Sequence, residues 1–421
     1  MIVDEAIRTA AEARPILDGV ARPRLRCDDL PLYVEVSPLL TPRLTGIGRF
    51  VARLIEALAR RKPLRLVTTT QGRYRRSMRL SKALRCGQEI RLEGDALCPA
   101  DADLSVWTRR LFYRSTHRQD AAFMHRCCVL YTMLRPPERR FRRELGMLYD
   151  FTPLLMPQVH LAETREQFGP FFARDAVLCD KLIAISKSTK VDASWLCDVG
   201  GDDVAVGYPG PSVCVQEHAH RRPVQRRRNL ILVVSTLEPR KNARFLYEWF
   251  LNTSVLPATT ELWWVGPSGW LFTLGDRRTG LSPRSRRIRF LGHVSDQRLC
   301  ELYQTAAFTI YPSLYEGFGF PVLDSLRHGT PVLCSFNSSL PEFGGPGVSY
   351  FDGCDPASLD VACRELVARG PLVFERDDLA QRFCWDALAR QVISLTSSDA
   401  PLLASDDEAQ LLPESLRRRH G

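Results

Sequence analysis

Residues 230–242 read Leu-Ile-Leu-Val-Val-Ser-Thr-Leu-Glu-Pro-Arg-Lys-Asn and decide how the C-terminal half of the chain folds. The run from Leu230 to Val234 is continuously apolar, as expected of a parallel strand that is buried on both faces. A polar loop follows this run, and the spacing of apolar residues predicts a helix over residues 242–252. Strand, loop and helix in this order predict the first unit of a doubly wound α/β sheet.

The same alternation of apolar strands and amphipathic helices continues downstream. It predicts strands at 261–265, 288–291, 307–311 and 331–334, with helices at 296–305 and 321–328. Strands that alternate with helices in this way indicate a parallel sheet. The second half of the chain is therefore predicted to be one Rossmann-like domain.

Upstream, a second α/β pattern begins at the strand-like segment Leu32–Val36. The glycine turn Thr45-Gly46-Ile47-Gly48-Arg49 follows, then a helix with apolar residues at helical spacing, then a strand at 64–69. Further segments are predicted as strand and loop at 147–155, strand at 181–186, helix at 189–196 with Ser186 as its cap, and strand at 204–208. A first Rossmann-like domain is expected.

These patterns divide the chain of 421 residues, a length that suits two domains of about 200 residues each. Residues 1–211 form the predicted N-terminal domain, and 212–228, which are polar and basic, form the predicted linker. The predicted C-terminal domain spans 229–376. A helix at 377–396 is placed to cross back to the first domain, and 397–421 form a polar tail.

The net charge of +10 lies almost entirely in residues 1–211, which carry 34 basic and 25 acidic residues. It is densest at 60–85 and 135–143. Such patches attract polyanions or anionic membranes, although a solvated, solubilising face explains them equally well. No zinc-finger or RNA-recognition motif accompanies the charge, so no nucleic-acid partner is expected.

The sequence also bears on the cellular location. It lacks a run of about 18 apolar residues, which predicts that no helix spans a membrane. Residues 1–14 mix acids and bases and lack the apolar core of a signal peptide. A cytoplasmic protein is expected, with the basic half allowing peripheral contact with an anionic membrane at its inner face.

Arg240 and Lys241 are the first candidates for chemistry. They lie between a buried strand and the start of a helix. Free backbone N–H groups, the helix dipole and two side-chain cations together favour binding of a diphosphate. The alternative is an exposed basic loop.

Glu316 and Asp324 are the second pair of candidates. Glu316 lies in a glycine-bearing loop after a predicted strand, and Asp324 lies one turn into the next helix. Two carboxylates so placed can accept hydrogen bonds from sugar hydroxyls, while Gly317 and Gly319 allow the backbone to approach a ligand closely. Capping of the helix is the alternative for Asp324.

Five motifs in order resemble glycosyltransferase family 4: Glu238–Asn242, Val265–Gly266, Phe290–Val294, Glu316–Asp324 and Leu340–Glu342. Weaker similarity extends to Gly46–Arg49 and Ala184–Ser188, so that the resemblance covers most of residues 32–390. It implies the GT-B fold, an α/β architecture of two Rossmann-like domains that face each other across a cleft. In that fold, residues 1–211 would be the acceptor-side domain and 229–376 the nucleotide-sugar-binding domain.

The resemblance also implies a role for each matching residue. Arg240 and Lys241 would bind the donor diphosphate, and Glu316 would hold the transferred sugar. The remaining implied donor contacts are Phe318, Gly319 and Phe320 at the sugar, Asp324 at the ribose, His293 and Val294 at the base, Gly48 at the phosphates across the cleft, and Gly266 and Leu323 nearby.

Two residues depart from the family pattern. Asp324 stands where the family normally has Glu, and its side chain is one methylene shorter. Tyr149-Asp150 stands where the family often has His-Asp near the sugar. Tyrosine is a poor base at neutral pH, so Asp150 becomes the catalytic candidate on the acceptor side. A carboxylate that only stabilises its loop is the alternative.

The implied reaction is a retaining hexosyl transfer that needs no metal or other cofactor. The sequence lacks an Asp-x-Asp after a strand near these motifs, and two cations can stabilise the leaving diphosphate. The segments Glu238–Asn242 and Glu316–Asp324 resemble those of mannosyltransferases, which favours GDP-mannose over a UDP-linked sugar as the donor. A glycan or a lipid-linked glycan is the expected acceptor. A non-catalytic subunit, a sugar-nucleotide epimerase and a nucleic-acid-binding protein remain alternatives, and the oligomeric state stays open.

Overall fold

A computed structural model describes residues 30–40, 45–70, 73–76, 90–93, 96–99, 123–133, 135–136, 138–166, 178–212, 226–269, 283–370 and 377–397. Everything below concerns these residues. Most of the predicted linker and of residues 1–30 lies outside them. The predicted tail at 397–421 also lies outside them, except for Ser397, which ends a helix.

The first domain is built on a mostly parallel sheet. Its strands are β1 Leu32–Glu35, β2 Leu64–Thr70, β3 Arg73–Arg76, β6 Cys128–Tyr131, β7 Arg143–Leu148, β8 Lys181–Ala184 and β9 Val204–Val206. They lie in the order β3-β2-β1-β6-β7-β8-β9, in which only the edge strand β3 is antiparallel to its neighbour. Strands β4 Ile90–Glu93 and β5 Ala96–Pro99 pair separately.

Helices α1 Gly46–Ala59, α2 Thr152–Leu155 and α3 Lys187–Cys197 belong to this domain. Thr45 caps α1 by accepting a hydrogen bond from the Gly48 amide at 3.2 Å. The predicted cap at Ser186 is confirmed, because its hydroxyl accepts from the Thr189 amide at 3.0 Å. Such caps satisfy N–H groups that have no partner within the helix.

The second domain has six parallel strands: β10 Arg227–Val234, β11 Glu261–Val265, β12 Ile288–Gly292, β13 Ala306–Tyr311, β14 Val332–Ser335 and β15 Val348–Phe351. Their order is β12-β11-β10-β13-β14-β15. Helices α4 Ala243–Asn252, α5 Asp296–Thr305, α6 Phe320–Arg327 and α7 Pro356–Arg369 connect or follow them. The order reverses between β10 and β13, where open α/β sheets bind ligands.

The prediction of two Rossmann-like domains is confirmed. One boundary differs, because β10 already begins at Arg227, inside the segment predicted as linker. Just before it, the Arg226 guanidinium donates to the Thr330 hydroxyl at 2.7 Å, which joins the chain to the second sheet there.

The C-terminal part forms two helices, α8 Asp377–Arg382 and α9 Trp385–Ser397, where the sequence predicted one. Phe383 separates them because its ring is buried against Tyr208, Phe318 and Phe343. Helix α9 then packs on α1 of the first domain.

Polar contacts fix α9 in that position. Asp386 pairs with Arg60 at 2.8 Å and with Arg61 at 2.9 Å. The Trp385 indole donates to the Pro211 carbonyl at 2.9 Å. Within the described residues, no helix is both long enough and apolar enough to cross a membrane.

Candidate functional site

The candidate site lies where the carboxyl ends of β10 and β13 meet. After β10 the chain forms a single 3-10 turn, Pro239–Lys241, before α4 begins. After β13 the loop 312–319 leads into α6. The Leu314 amide donates to the Arg240 carbonyl at 2.9 Å and joins the two loops.

Glu316 lies at the centre of a buried cluster of charged groups. Its Oε2 accepts from Arg240 Nη1 at 3.0 Å, and its Oε1 accepts from Lys241 Nζ at 2.6 Å. The Tyr311 hydroxyl also donates to Oε1, at 2.9 Å. Arg240 Nη2 reaches Glu238 at 3.1 Å. The structure therefore brings together the three residues that the sequence predicted at the donor: Arg240, Lys241 and Glu316.

Neighbouring serines hold the Glu316 backbone in place. Its amide donates to the Ser338 hydroxyl at 2.9 Å, and its carbonyl accepts from the Ser339 hydroxyl at 2.9 Å. Ser339 also donates to the Phe318 carbonyl at 2.8 Å. These bonds come from the loop after β14, so that the position of the carboxylate depends on three consecutive strand ends.

The electrostatics of the cluster favour full ionisation of Glu316. Burial alone would raise the pKa of Glu316, but the charges of Lys241 and Arg240 outweigh it and lower that pKa to about 2. Burial would lower the pKa of Arg240, yet Glu316, Asp150 and Glu238 raise it above its ordinary value. Two cations therefore face the ionised carboxylate of Glu316, and Arg240 also pairs with Glu238. A bound diphosphate would bring further negative charge to these two cations.

The pKa of Lys241 is shifted in the direction opposite to that of Arg240. Burial and the adjacent Arg240 lower the pKa of Lys241, against the opposing effects of Glu316 and Glu238. For Glu238, burial raises the pKa even though both cations oppose it. Added negative charge from a bound diphosphate would therefore favour the protonated form of Lys241.

Asp324 is buried within α6 and faces the start of the predicted linker. Its Oδ1 accepts from the Ser212 amide at 2.8 Å, and its Oδ2 accepts from the Ser212 hydroxyl. Both oxygens thus contact the segment after β9. The role of Asp324 as the ribose contact stays a prediction.

The donor-side residues around α6 fall into two groups. Phe318 and Leu323 are buried in the apolar core, whereas Phe320 is half-buried against Trp385. Gly319 precedes α6 at φ 107°, in the left-handed region that favours glycine. Contact of a ligand with Leu323 would therefore have to involve its backbone.

Gly317 approaches the opposite domain. A Cβ atom there would lie 1.9 Å from the Tyr149 carbonyl oxygen. The close approach that glycine allows at 317 is therefore to the backbone of the first domain, and its approach to a ligand stays a prediction. As a result, the Tyr149–Asp150 segment lies directly beside Glu316.

Asp150 stabilises its own loop and also faces the cleft. Its Oδ1 accepts from the Thr152 amide at 3.0 Å and from the Thr152 hydroxyl at 2.7 Å, as in the alternative considered for it. It also lines a cavity of about 190 Å³ together with Arg240 and His160. The structure thus places Asp150 on the same cavity as the donor arginine.

Tyr149 packs against Phe50, with ring centroids 5.1 Å apart. Burial, and then the nearby Glu35, raise the pKa of Tyr149 well above its ordinary value. Its hydroxyl therefore stays protonated at neutral pH and cannot serve as a base.

Sequence reasoning missed His160 at this site. Burial and the charge of Arg240 lower its pKa, while Asp150 opposes that shift. The imidazole is therefore neutral at physiological pH. A single histidine ten residues after Asp150 carries no motif, and only the fold brings the two to one cavity.

The remaining predicted residues are Gly48 in the first domain, and Gly266, His293 and Val294 in the second. Gly48 is buried in the first turn of α1. His293 is exposed and Val294 half-buried, just before α5. Gly266 has φ 142°, and a Cβ there would lie 2.0 Å from the Ser235 carbonyl oxygen, so the ends of β10 and β11 require glycine. Their ligand contacts stay predictions.

An ion pair crosses from α1 to α5. Arg49 Nη1 lies 2.9 Å from both carboxylate oxygens of Asp296. Arg49 directly follows Gly48, and Asp296 lies two residues after Val294, so both are close in sequence to predicted site residues. The pair therefore spans the cleft beside the predicted base and phosphate positions.

The basic run 135–143 is largely neutralised inside the first domain. Arg135 forms a fully buried pair with Glu144 at 2.5 Å. Arg139 pairs with Asp180 at 2.6 Å and Arg140 with Glu138 at 2.5 Å. This run therefore offers less positive surface than its sequence indicates. Residues 77–85 of the other basic run lie outside the described residues.

Comparisons with known proteins agree with this geometry. A profile of the family described as Glycosyl transferases group 1 matches residues 228–369. O-antigen chain mannosyltransferase B of Escherichia coli is 25% identical over 401 residues, which cover 87% of this chain and 99% of that protein.

Two solved structures show the same fold. Sucrose-phosphate synthase from Thermosynechococcus elongatus has a TM-score of 0.59 and 16% identity, covering 87% of this chain and 98% of its own. Anabaena HepE, solved in complex with UDP and glucose, has a TM-score of 0.53 and 15% identity, covering 87% and 99%. At such identities the likeness concerns the fold alone.

The profile match covers the domain that holds Arg240, Lys241 and Glu316, and the similarity to the Escherichia coli protein extends over both domains. The two sheets and the cleft between them are those of the GT-B fold. The chain is therefore a hexosyltransferase built on the GT-B fold, and its second domain is similar to the Glycosyl transferases group 1 family.

Proposed function

We propose that this enzyme transfers mannose from GDP-mannose to a glycan or lipid-linked acceptor with retention of the anomeric configuration, in polysaccharide biosynthesis. The observation that supports it most is the buried Arg240–Lys241–Glu316 cluster beside Asp150. The name of the Escherichia coli relative, an O-antigen chain mannosyltransferase, supports the choice of sugar.

The donor diphosphate would lie against Arg240 and Lys241. Both cations already contact Glu316, so that their positions are fixed before the donor binds. Glu316 would accept hydrogen bonds from hydroxyls of the transferred sugar. Because the two cations stabilise charge that develops on the leaving diphosphate, no metal ion or other cofactor is required. Transfer should therefore be unaffected by EDTA.

The acceptor would enter from the cavity lined by Asp150 and His160. Its hydroxyl oxygen forms a bond to the anomeric carbon on the face from which the diphosphate leaves. The carbon–oxygen bond to the phosphate breaks, and the proton of the hydroxyl passes to the departing phosphate oxygen. Asp150 is bonded to Thr152 in its own loop, which makes it a group that orients the acceptor.

The donor base is tested by thermal-shift titration with GDP and UDP, followed by transfer assays with GDP-mannose and UDP-glucose. We expect stabilisation by GDP and transfer of labelled mannose to a cell-derived lipid fraction. UDP is the alternative, since HepE was solved with UDP. Stabilisation by UDP but not GDP would refute the donor proposal.

A lipid-linked acceptor implies work at the cytoplasmic face of a membrane. Peripheral contact with anionic lipid is therefore part of the proposal, supported by the net charge of +10. Sedimentation with vesicles of phosphatidylglycerol at low and high salt checks it. Equal recovery in the supernatant at both salt concentrations would contradict membrane contact.

A further inference from the structure

Tyr315 joins the two domains at the donor site. Its hydroxyl donates to Asp192 Oδ2, in α3 of the first domain, at 2.6 Å. Its carbonyl accepts from Arg240 Nη1 at 3.0 Å, and the same nitrogen donates to Glu316. A single residue therefore connects a first-domain helix to the cation and, through it, the carboxylate of the donor cluster.

The N-terminus of α3 is itself held by the second domain. Glu342 accepts from the amides of Lys187 and Ser188, each at 2.9 Å, and from the Tyr208 hydroxyl at 2.6 Å. A carboxylate in that place satisfies N–H groups at the positive end of the helix dipole. Asp192 is therefore presented to Tyr315 from a helix with a fixed direction.

The same helix also reaches the acceptor side. The Thr189 hydroxyl lies 3.1 Å from the Tyr149 carbonyl oxygen, next to Asp150. Helix α3 thus contacts the loop that carries the acceptor-side carboxylate and, through Asp192, the loop that carries Glu316. One helix therefore contacts both loops that carry the candidate carboxylates.

We propose that Asp192 and Tyr315 form an interdomain tie that positions Arg240 and Glu316 against the acceptor when the domains are closed. The inference rests on the proposed function for the identity of the donor. Asp192 is a positioning residue, because it acts through Tyr315.

The tie should affect the chemical step more than donor binding. Apart from Gly48, the residues predicted to contact the nucleotide and the diphosphate belong to the second domain, whereas transfer would also require the first-domain loop at the anomeric carbon. Small displacements of reacting groups cost about 10²-fold in rate. Loss of the tie is therefore expected to lower kcat and to leave donor affinity nearly unchanged.

The test compares Tyr315→Phe, Asp192→Ala and Asp192→Asn with the wild-type enzyme. We expect kcat to fall about tenfold or more in Tyr315→Phe and Asp192→Ala, with the Kd for the nucleotide diphosphate changed by less than about twofold. Asp192→Asn keeps an oxygen that can accept from Tyr315 and should recover most of the rate. Because Tyr315→Phe and Asp192→Ala remove the same bond, their combination should be no slower than either alone.

Tyr247→Phe, in α4, serves as the matched control for removal of a tyrosine hydroxyl. Thermal unfolding of each variant confirms that the fold is retained. The proposal is overturned if Tyr315→Phe keeps kcat within twofold of wild type, if the loss lies in donor affinity alone, or if Asp192→Asn is as slow as Asp192→Ala. If the wild-type enzyme uses a UDP-linked donor, the proposal of GDP-mannose is refuted. The test of the tie still holds in that case, because the same variants are then compared with the UDP-linked donor.

Discussion

The two sides of the cleft hold their polar groups in different ways. Arg240, Lys241 and Glu316 satisfy one another within the second domain. The Tyr149–Asp150 loop instead meets the second domain directly, since the Tyr149 carbonyl packs on Gly317, while Thr189 and Thr152 of its own domain also bond to the loop. The cations predicted to bind the diphosphate are therefore held within one domain, whereas the acceptor-side loop lies at the contact between the two domains.

The largest effect should follow from removal of the two cations. Arg240→Ala together with Lys241→Ala should reduce transfer by at least about 10³-fold, because the leaving diphosphate loses its stabilising charges. The measurements are the rate of transfer from the donor identified by titration and the thermal stabilisation of the variant by the corresponding nucleotide diphosphate.

The double variant leaves Glu316 buried without its cations, which destabilises the fold. Arg240 also pairs with the buried Glu238, so the two substitutions are repeated with Glu316→Gln and Glu238→Gln added, which removes both unpaired carboxylates. Arg244→Ala is the control, since the Arg244 side chain is 83% exposed and pairs with Glu248 on the same helix. Transfer near the wild-type rate in the folded variants would show that the cluster is not the donor site.

The next largest effect should be the loss of folding stability at low pH that comes from protonation of Glu316. The folded-state pKa of Glu316 is about 2, below its ordinary value of 4.5. Its ionisation therefore stabilises the fold above pH 4.5, and this contribution is lost as the pH falls from 4.5 toward 2. The lost free energy of unfolding is about 3 kcal/mol at most.

Glu316→Gln tests that contribution by urea unfolding at several pH values. The variant should show a smaller decrease in the free energy of unfolding between pH 4.5 and pH 2 than the wild-type protein. Parallel pH profiles for the two proteins would contradict the ionised, cation-paired state of Glu316.

Gly317→Ala should disturb the contact between the two domains without changing the Arg240–Lys241–Glu316 cluster. A Cβ at this position would overlap the Tyr149 carbonyl and push the loops apart. We expect kcat to fall about 10²-fold, the size typical of misplaced reacting groups, while the nucleotide diphosphate still binds. Gly201→Ala is the control, because no atom lies within 4 Å of a Cβ there. Full activity in Gly317→Ala would mean that this close approach is not needed for transfer.

The smallest effect is expected at the Arg49–Asp296 pair. The two side chains are 19% and 31% exposed, so the ion pair should contribute no more than about 1 kcal/mol. A double-mutant cycle with Arg49→Ala and Asp296→Ala in thermal unfolding measures it, and the coupling should shrink at high salt. A larger coupling that does not respond to salt would show that domain closure also depends on this edge of the cleft.

The sequence was most informative in the second domain. The predicted strand 261–265 and helix 296–305 match the observed bounds, because buried parallel strands and capped helices leave clear local patterns. Arg240, Lys241 and Glu316 follow strand ends, and the sheet order brings those ends together. Their assembly was therefore predictable from the motifs.

The first domain and its contacts were less predictable. Strand β6, Cys128–Tyr131, was not predicted, although strands β1 and β8, of the same length, were. His160, Asp192 and the capping role of Glu342 depend on contacts with residues far away along the chain. The orientation of Asp324 toward Ser212 likewise arises from tertiary packing, which no local pattern encodes.

A crystal structure with the intact donor, or with its nucleotide diphosphate, tests the central claim most directly. The account predicts diphosphate oxygens within about 3 Å of the Arg240 guanidinium and of Lys241 Nζ, with Glu316 on the sugar side. A diphosphate bound elsewhere in the cleft, with both cations still paired only to Glu316, would contradict it.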